Sequence, residues 1–167
     1  MHRTDLRRAV LIAGVALFGA RDPAHAEAPV VGLATVADAD PLELARVASR
    51  LGDEAVLGSL DARRPVAERL AAVRAAAWLR APERALPALV DLLAGRDSEL
   101  APAAALSVVR VANALDADAL ARREVLVAEL APVRARLAAM ANAATLRADL
   151  RALAGEAGAA LGAAGVP

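Results

Sequence analysis

Residues Pro65–Gly95, PVAERLAAVRAAAWLRAPERALPALVDLLAG, decide how the rest of the chain is read. Val66, Leu70, Val73 and Ala77 recur at i, i+4, i+7 and i+11, one stripe of an amphipathic helix. The pattern stops at Arg80-Ala81-Pro82-Glu83, because the residue before a proline avoids helical angles. A second stripe follows in Leu86, Leu89, Val90 and Leu93, closed by Gly95. Pro82 and Pro87 fall in or near the first turn of this helix, where a missing amide costs little. The stretch therefore predicts two helices back to back.

The flanks continue the pattern. Asp40-Pro41-Leu42-Glu43 combines a capping carboxylate, a proline at the first helical position and an acid three residues on. Leu44, Val47 and Leu51 form its stripe, and Gly52-Asp53 ends that helix and caps the next, with Val56, Leu57 and Leu60 inward. Asp97-Ser98-Glu99 is expected to cap a third pair. Its first helix, Leu100–Leu115, is so apolar that it must be covered on most sides. Beyond Asp116-Ala117-Asp118, the stripe Leu126, Leu130, Val133, Leu137 and Met140 crosses Pro132, where a kink or break is expected. Thr145 is the expected cap of a last helix bearing Leu146, Leu150, Leu153 and Ala157, and the glycines after it predict fraying past about residue 160.

Composition agrees with an all-α chain. Ala and Leu supply most of the apolar content of these 167 residues, and the aromatics are Phe18 and Trp78 alone. All 20 basic residues are arginine, balanced by 20 acids, so no net field attracts nucleic acid or an anionic membrane. There is no cysteine, hence no disulfide and no thiolate metal ligand.

Residues 1–26 resemble a cleavable signal peptide. His2, Arg3, Arg7 and Arg8 are followed by the uncharged run Ala9–Ala20 and by Ala24-His25-Ala26, a small-x-small pattern before a cut after Ala26. The 12-residue run is shorter than the roughly 20 residues a spanning helix needs. Arg7-Arg8 leaves both the general and the twin-arginine routes open, and either leads to the periplasm or outside the cell. The cut removes four arginines, two acids and both histidines, leaving 16 arginines against 18 acids, a net of −2. Residues 27–39 read as an extended lead-in, 40–160 as the helical domain and 161–167 as a flexible tail.

Catalysis finds little to work with in residues 27–167. Ser49, Ser59, Ser98 and Ser107 have no histidine or lysine to take their protons. The acid pairs Asp38/Asp40 and Asp116/Asp118 are better used as helix caps than as metal ligands. No glycine-rich phosphate loop opens a helix. No catalytic, cofactor-binding or metal-binding residue is predicted, and no cofactor.

The segment Ala81-Pro82-Glu83-Arg84-Ala85-Leu86-Pro87-Ala88-Leu89-Val90 resembles the turn and second helix of a HEAT repeat. Asp97-Ser98-Glu99-Leu100 with Ala103-Ala104-Ala105-Leu106 resembles the opening of the next. First helices would start near residues 41, 66, 99 and 133, spacings of 25, 33 and 34. The likeness is good over roughly 65–115 and weak elsewhere. It implies a short right-handed stack of three to four antiparallel helix pairs, a HEAT-like α-solenoid serving as a scaffold for a protein partner. An irregular helical bundle is the alternative fold, and an amphipathic protein associated with lipid or the envelope surface the alternative role.

Trp78 lies about 100° around its helix from the Val66–Ala77 stripe. It is either a packer at the core's edge with Arg74 on its face or, with Arg74, an interface anchor. If second helices line a groove, Arg84 and Asp91, and Arg122 and Glu129, would point into it. These six are the candidate interface residues.

Overall fold

Three carboxylates start helices as their spacing requires. Asp40 accepts from the amides of Leu42 and Glu43 at 2.8 and 3.0 Å, Asp97 from Glu99 and Leu100 at 2.9 and 3.0 Å, and Asp116 from Asp118 and Ala119 at 2.8 and 3.2 Å. Each satisfies first-turn amides that have no partner inside the helix. The structure, a computed structural model, describes Leu33 and residues 40–167. The predicted leader (1–26), and the lead-in (27–39) apart from buried Leu33, lie outside the described residues.

The described residues are all-helical and fall in one unit, Val31–Pro167. Eight α-helices follow in order: α1 Pro41–Leu51, α2 Asp53–Gly58, α3 Val66–Ala75, α4 Leu86–Ala94, α5 Leu100–Ala114, α6 Ala117–Ala121, α7 Glu124–Ala141 and α8 Ala148–Ala163. No strand occurs among the described residues. Packing runs from α1 to α3, from α3 to α5 and from α5 to α8, while α4 lies on α5 and α7, and α7 on α8. The nearly all-apolar α5 is thus covered by α3, α4 and α8.

Large side chains form the core where the stripes place them. Leu86, Leu89, Val90 and Leu93 of α4 are fully buried, as are Val108 and Val111 of α5 and Leu137 of α7. They join residues from every helix in one hydrophobic cluster, the non-directional term that outweighs the cost of ordering the chain.

The quoted stretch departs from its expectation in two ways. Its helices are joined by more than a four-residue corner. After Ala75 the chain tightens into a 3-10 turn, Ala76–Trp78, then runs extended at Leu79 (φ −66°, ψ 157°). The pre-proline Ala81 sits at φ −125°, ψ 72°, and a second 3-10 segment, Pro82–Ala85, leads into α4. As a result α3 packs more on α5 than on α4. The buried face of α3 is also not the expected stripe. It is Ala71, Ala72, Val73 and Ala75, with Ala76 beyond, whereas Val66 is exposed and Leu70 half-buried. Alanines let neighbouring backbones approach closely, so the core-facing side of α3 is mostly alanine; of the expected stripe Val73 is fully buried, while Val66 and Leu70 turn outward.

Four smaller corrections concern single residues. Asp53 does not cap α2; Gly52, at φ 82°, holds that position. The Asp53 carboxylate instead reaches across the chain to accept from the amides of Arg80 and Ala81 at 3.2 and 3.0 Å. Pro132 does not break its helix, since α7 continues through it with the proline exposed. Thr145 does not cap α8, which starts after Arg147 without a side-chain cap. Finally, the ordered helix does not stop near 160. It runs to Ala163, Val166 is buried, and the Val166 carbonyl accepts from Arg134 Nη1 at 2.8 Å.

Candidate functional site

The outward side of α3 makes the site. Val66, Leu70 and Arg74 lie at i, i+4 and i+8 of that helix, with Trp78 one turn further in the 3-10 segment. Opposite them, Pro102, Leu106 and Arg110 stand at i, i+4 and i+8 of α5, with Glu99 just before its start. Pro41 and Leu44 of α1 close one side. Together these faces enclose a groove of about 850 Å³.

Its lining is more apolar than polar, with Arg74, Glu99, Ser107 and Arg110 among the apolar side chains. Val66, Trp78 and Leu106 are 42%, 46% and 49% exposed, and all three line this groove. Scattered exposed apolar residues need no explanation, whereas three lining one groove single that groove out as the candidate site. Completing the burial of three half-exposed side chains is worth on the order of 3 kcal/mol. The remaining large exposed apolar residues among those described are Leu42 and Val125.

The six candidate interface residues do not form one surface. Arg74 and Trp78 line the groove, with Arg74 half-buried and Trp78 half-exposed. Arg84, Arg122 and Glu129 come together elsewhere, around a depression of about 640 Å³ that shares no residue with the groove. Asp91 lines neither and pairs with Arg136 of α7 at 2.6 Å. Arg84 is also engaged, at 2.7 Å from Glu54 of α2. The hydrogen bond and charge of Glu54 raise the pKa of its guanidinium above the usual arginine value.

These ion pairs belong to a wider pattern. Glu83, in the 3-10 segment before α4, is buried and takes Arg123 at 2.9 Å. Arg84–Glu54, Glu83–Arg123 and Asp91–Arg136 therefore tie the segment leading into α4, and α4 itself, to α2 on one side and to the start and middle of α7 on the other. Of the four charged residues expected in a groove of second helices, Arg84 and Asp91 are engaged in cross-links within the chain, and Arg122 and Glu129 line the separate depression. The larger groove lies among α1, α3 and α5.

Sequence reasoning missed Val66, Leu70 and Leu106 as site residues because large apolar residues were placed in the core. The available signal was Ala71, Ala72, Ala75 and Ala76, a second helical stripe on α3 made only of alanine. Two stripes on one helix mean two covered faces, or one covered and one open.

Among the described residues no group of three or more metal-ligating side chains converges, and no helix is long and apolar enough to cross a membrane. Comparison of the chain with protein families, with curated proteins and with solved structures finds no match.

Proposed function

We propose that the protein is an exported, non-enzymatic HEAT-like scaffold that binds a protein partner in the groove between α1, α3 and α5. The observation that carries this reading is that Val66, Trp78 and Leu106, each about half exposed, line one largely apolar groove. Trp is among the residue types that dominate interface energetics when covered. The contact order α1–α3–α5–α8, with α4 on α7, supports a stack of helix pairs. The stronger packing of α3 on α5 than on α4 is what an irregular bundle would also produce. Either arrangement leaves the groove in place.

Export rests on the basic, apolar and small-residue regions of residues 1–26. N-terminal sequencing of the exported protein is expected to begin at Glu27.

Binding is tested by capture from a periplasmic extract with the 27–167 form and its Leu106→Glu variant. The partner is expected on the first and not on the second, with matching circular dichroism. Equal capture by both would refute the groove as the docking surface. Co-sedimentation with liposomes, lost in the same variant and without protein capture, would favour the alternative role at a lipid or envelope surface.

A further inference from the structure

We infer that residues 78–81, between α3 and α4, form a strap latched onto α2 by the Asp53 carboxylate, and that its release swings Trp78 and opens one end of the groove while the helical core stays folded. Backbone accounting shows how little else holds the strap. A 3-10 turn ends at Trp78, Leu79 is extended, and a second 3-10 segment starts at Pro82. A 3-10 stretch inside a helical run often marks a hinge. Leu79 donates to the Ala76 carbonyl at 3.4 Å, a long bond, and Pro82 has no amide to give. The next local bond runs from the Arg84 amide to the Ala81 carbonyl at 3.2 Å. Between these two, the amides of Arg80 and Ala81 both go to Asp53, 27 and 28 residues back in the chain, at 3.2 and 3.0 Å. One carboxylate therefore satisfies two consecutive donors of the strap.

Packing leaves that polar latch as the main restraint. Leu79 is the one large apolar residue buried between Ala76 and Ala85, whereas Trp78 and Arg80 are exposed. Trp78 borders the groove and also a cavity of about 240 Å³ lined by Ser49, Gly52, Asp53, Glu54 and Arg80. Its indole has open space on both sides, and side chains without neighbours gain no dispersion energy from staying in place. Arg80 is exposed and Ala81 half-buried, so water can take over their amides once the carboxylate lets go. The chain beyond is held more firmly. Buried Glu83 accepts from Arg123 at 2.9 Å, and Glu54 pairs with Arg84 at 2.7 Å. The strap thus pivots between buried Ala76 on one side and the anchored segment Pro82–Ala85 on the other.

No residue of α2 lines the groove, yet through Asp53 this helix sets where Trp78 stands. Asp53 is a positioning residue. The strap stands on these bonds alone; its consequence for docking rests on the reading above.

Native-state hydrogen exchange resolves the strap. The amides of Leu79 and Arg84 are the readouts, because Asp53 bonds to neither. They are expected to exchange at one shared rate, faster than the amides of core residues Leu89 and Val108, and with little dependence on dilute urea. Asp53→Ala should speed both about thirtyfold, as loss of hydrogen bonds to a charged group requires. Asp53→Asn, which keeps one acceptor, should give a smaller increase. Glu54→Gln, which removes a surface pair, should change them by less than about fivefold. Trp78 is the only tryptophan, so fluorotryptophan labelling gives one fluorine resonance. Relaxation dispersion should show it exchanging with a minor state, and Asp53→Ala should raise that state's population. If Leu79 and Arg84 exchange with Leu89 and Val108 and share their full urea dependence, no strap opens short of global unfolding and the proposal is overturned. If Asp53→Ala speeds only Arg80 and Ala81, Asp53 is a local acceptor and the latch is overturned. If Leu79 and Arg84 respond while the fluorine signal does not, the strap opens without Trp78 and its link to the groove is overturned. Capture by Leu106→Glu tests docking separately and is untouched by these results.

Discussion

Gly155, Gly158 and Gly162 of α8 look alike in sequence and should respond differently to alanine. In a helix interior Gly→Ala is worth about 0.8–1 kcal/mol, because alanine loses less conformational freedom. A Cβ at Gly155 would sit 3.6 Å from Ala141 Cβ, and one at Gly158 would sit 3.7 Å from Leu137 Cβ. Both are ordinary contacts, so each substitution should stabilise by about 1 kcal/mol, or raise the melting temperature by roughly 3 °C for a chain of this size. At Gly162 the same atom would come within 2.9 Å of Arg134 Nη2 and 3.1 Å of its Cζ. The guanidinium would have to move, and its Nη1 holds the Val166 carbonyl at 2.8 Å. Losing a hydrogen bond to a charged group costs about 1.5–3 kcal/mol, which exceeds the propensity gain. Gly162→Ala should therefore destabilise by about 1 kcal/mol. In an Arg134→Ala background the penalty should vanish and the gain of about 1 kcal/mol return, an interaction a double-mutant cycle isolates. Urea unfolding followed by circular dichroism and by Trp78 emission measures all of these. Gly162→Ala as stabilising as Gly158→Ala would refute the close packing of Arg134 on α8.

Asp53→Ala, which strands the amides of Arg80 and Ala81, should cost about 2 kcal/mol, against about 1 kcal/mol for loss of the Asp40 cap; equal losses in urea unfolding would show that Asp53 is only a local cap. Arg123→Ala leaves the carboxylate of buried Glu83 without its partner and should cost about 2 kcal/mol, less than for a fully buried pair because Arg123 is itself half exposed. Adding Glu83→Leu should recover part of that loss. The carboxyl of Asp97 is held below its ordinary value by the amides of Leu100 and Glu99, and that of Asp149 by Arg147. Folded values lower than unfolded ones give stability that is present above about pH 4 and lost as pH falls through the folded values. Stability followed by circular dichroism should then fall below about pH 4, and Asp97→Asn should reduce that acid sensitivity.

Existence and order of the helices were legible because apolar stripes and capping carboxylates are local signals. Asp40, Asp97 and Asp116 each cap where their spacing to the following amides allows it. Stripes of large residues were legible where one face alone is covered, as in α4 and α7. They misled on α3, where alanine faces the core and Val66 and Leu70 face the groove, because close backbone packing rewards small size over hydrophobicity. The roles of Asp53 and of Glu83 could not be read locally. Their partners lie 27 to 40 residues away, and the position of those partners depends on how the 3-10 segments orient the chain. Arg74 and Trp78 were singled out from residue type, and the structure places both on the groove.

The most direct test of the account is photo-crosslinking with the 27–167 form in a periplasmic extract. A photoreactive amino acid is installed at Leu106, in the groove, or at Glu129, in the separate depression. Illumination should give a discrete adduct with one partner protein from position 106 and none from position 129. Adducts from 129 and none from 106 would contradict the claim that the groove of α1, α3 and α5 is where the protein binds.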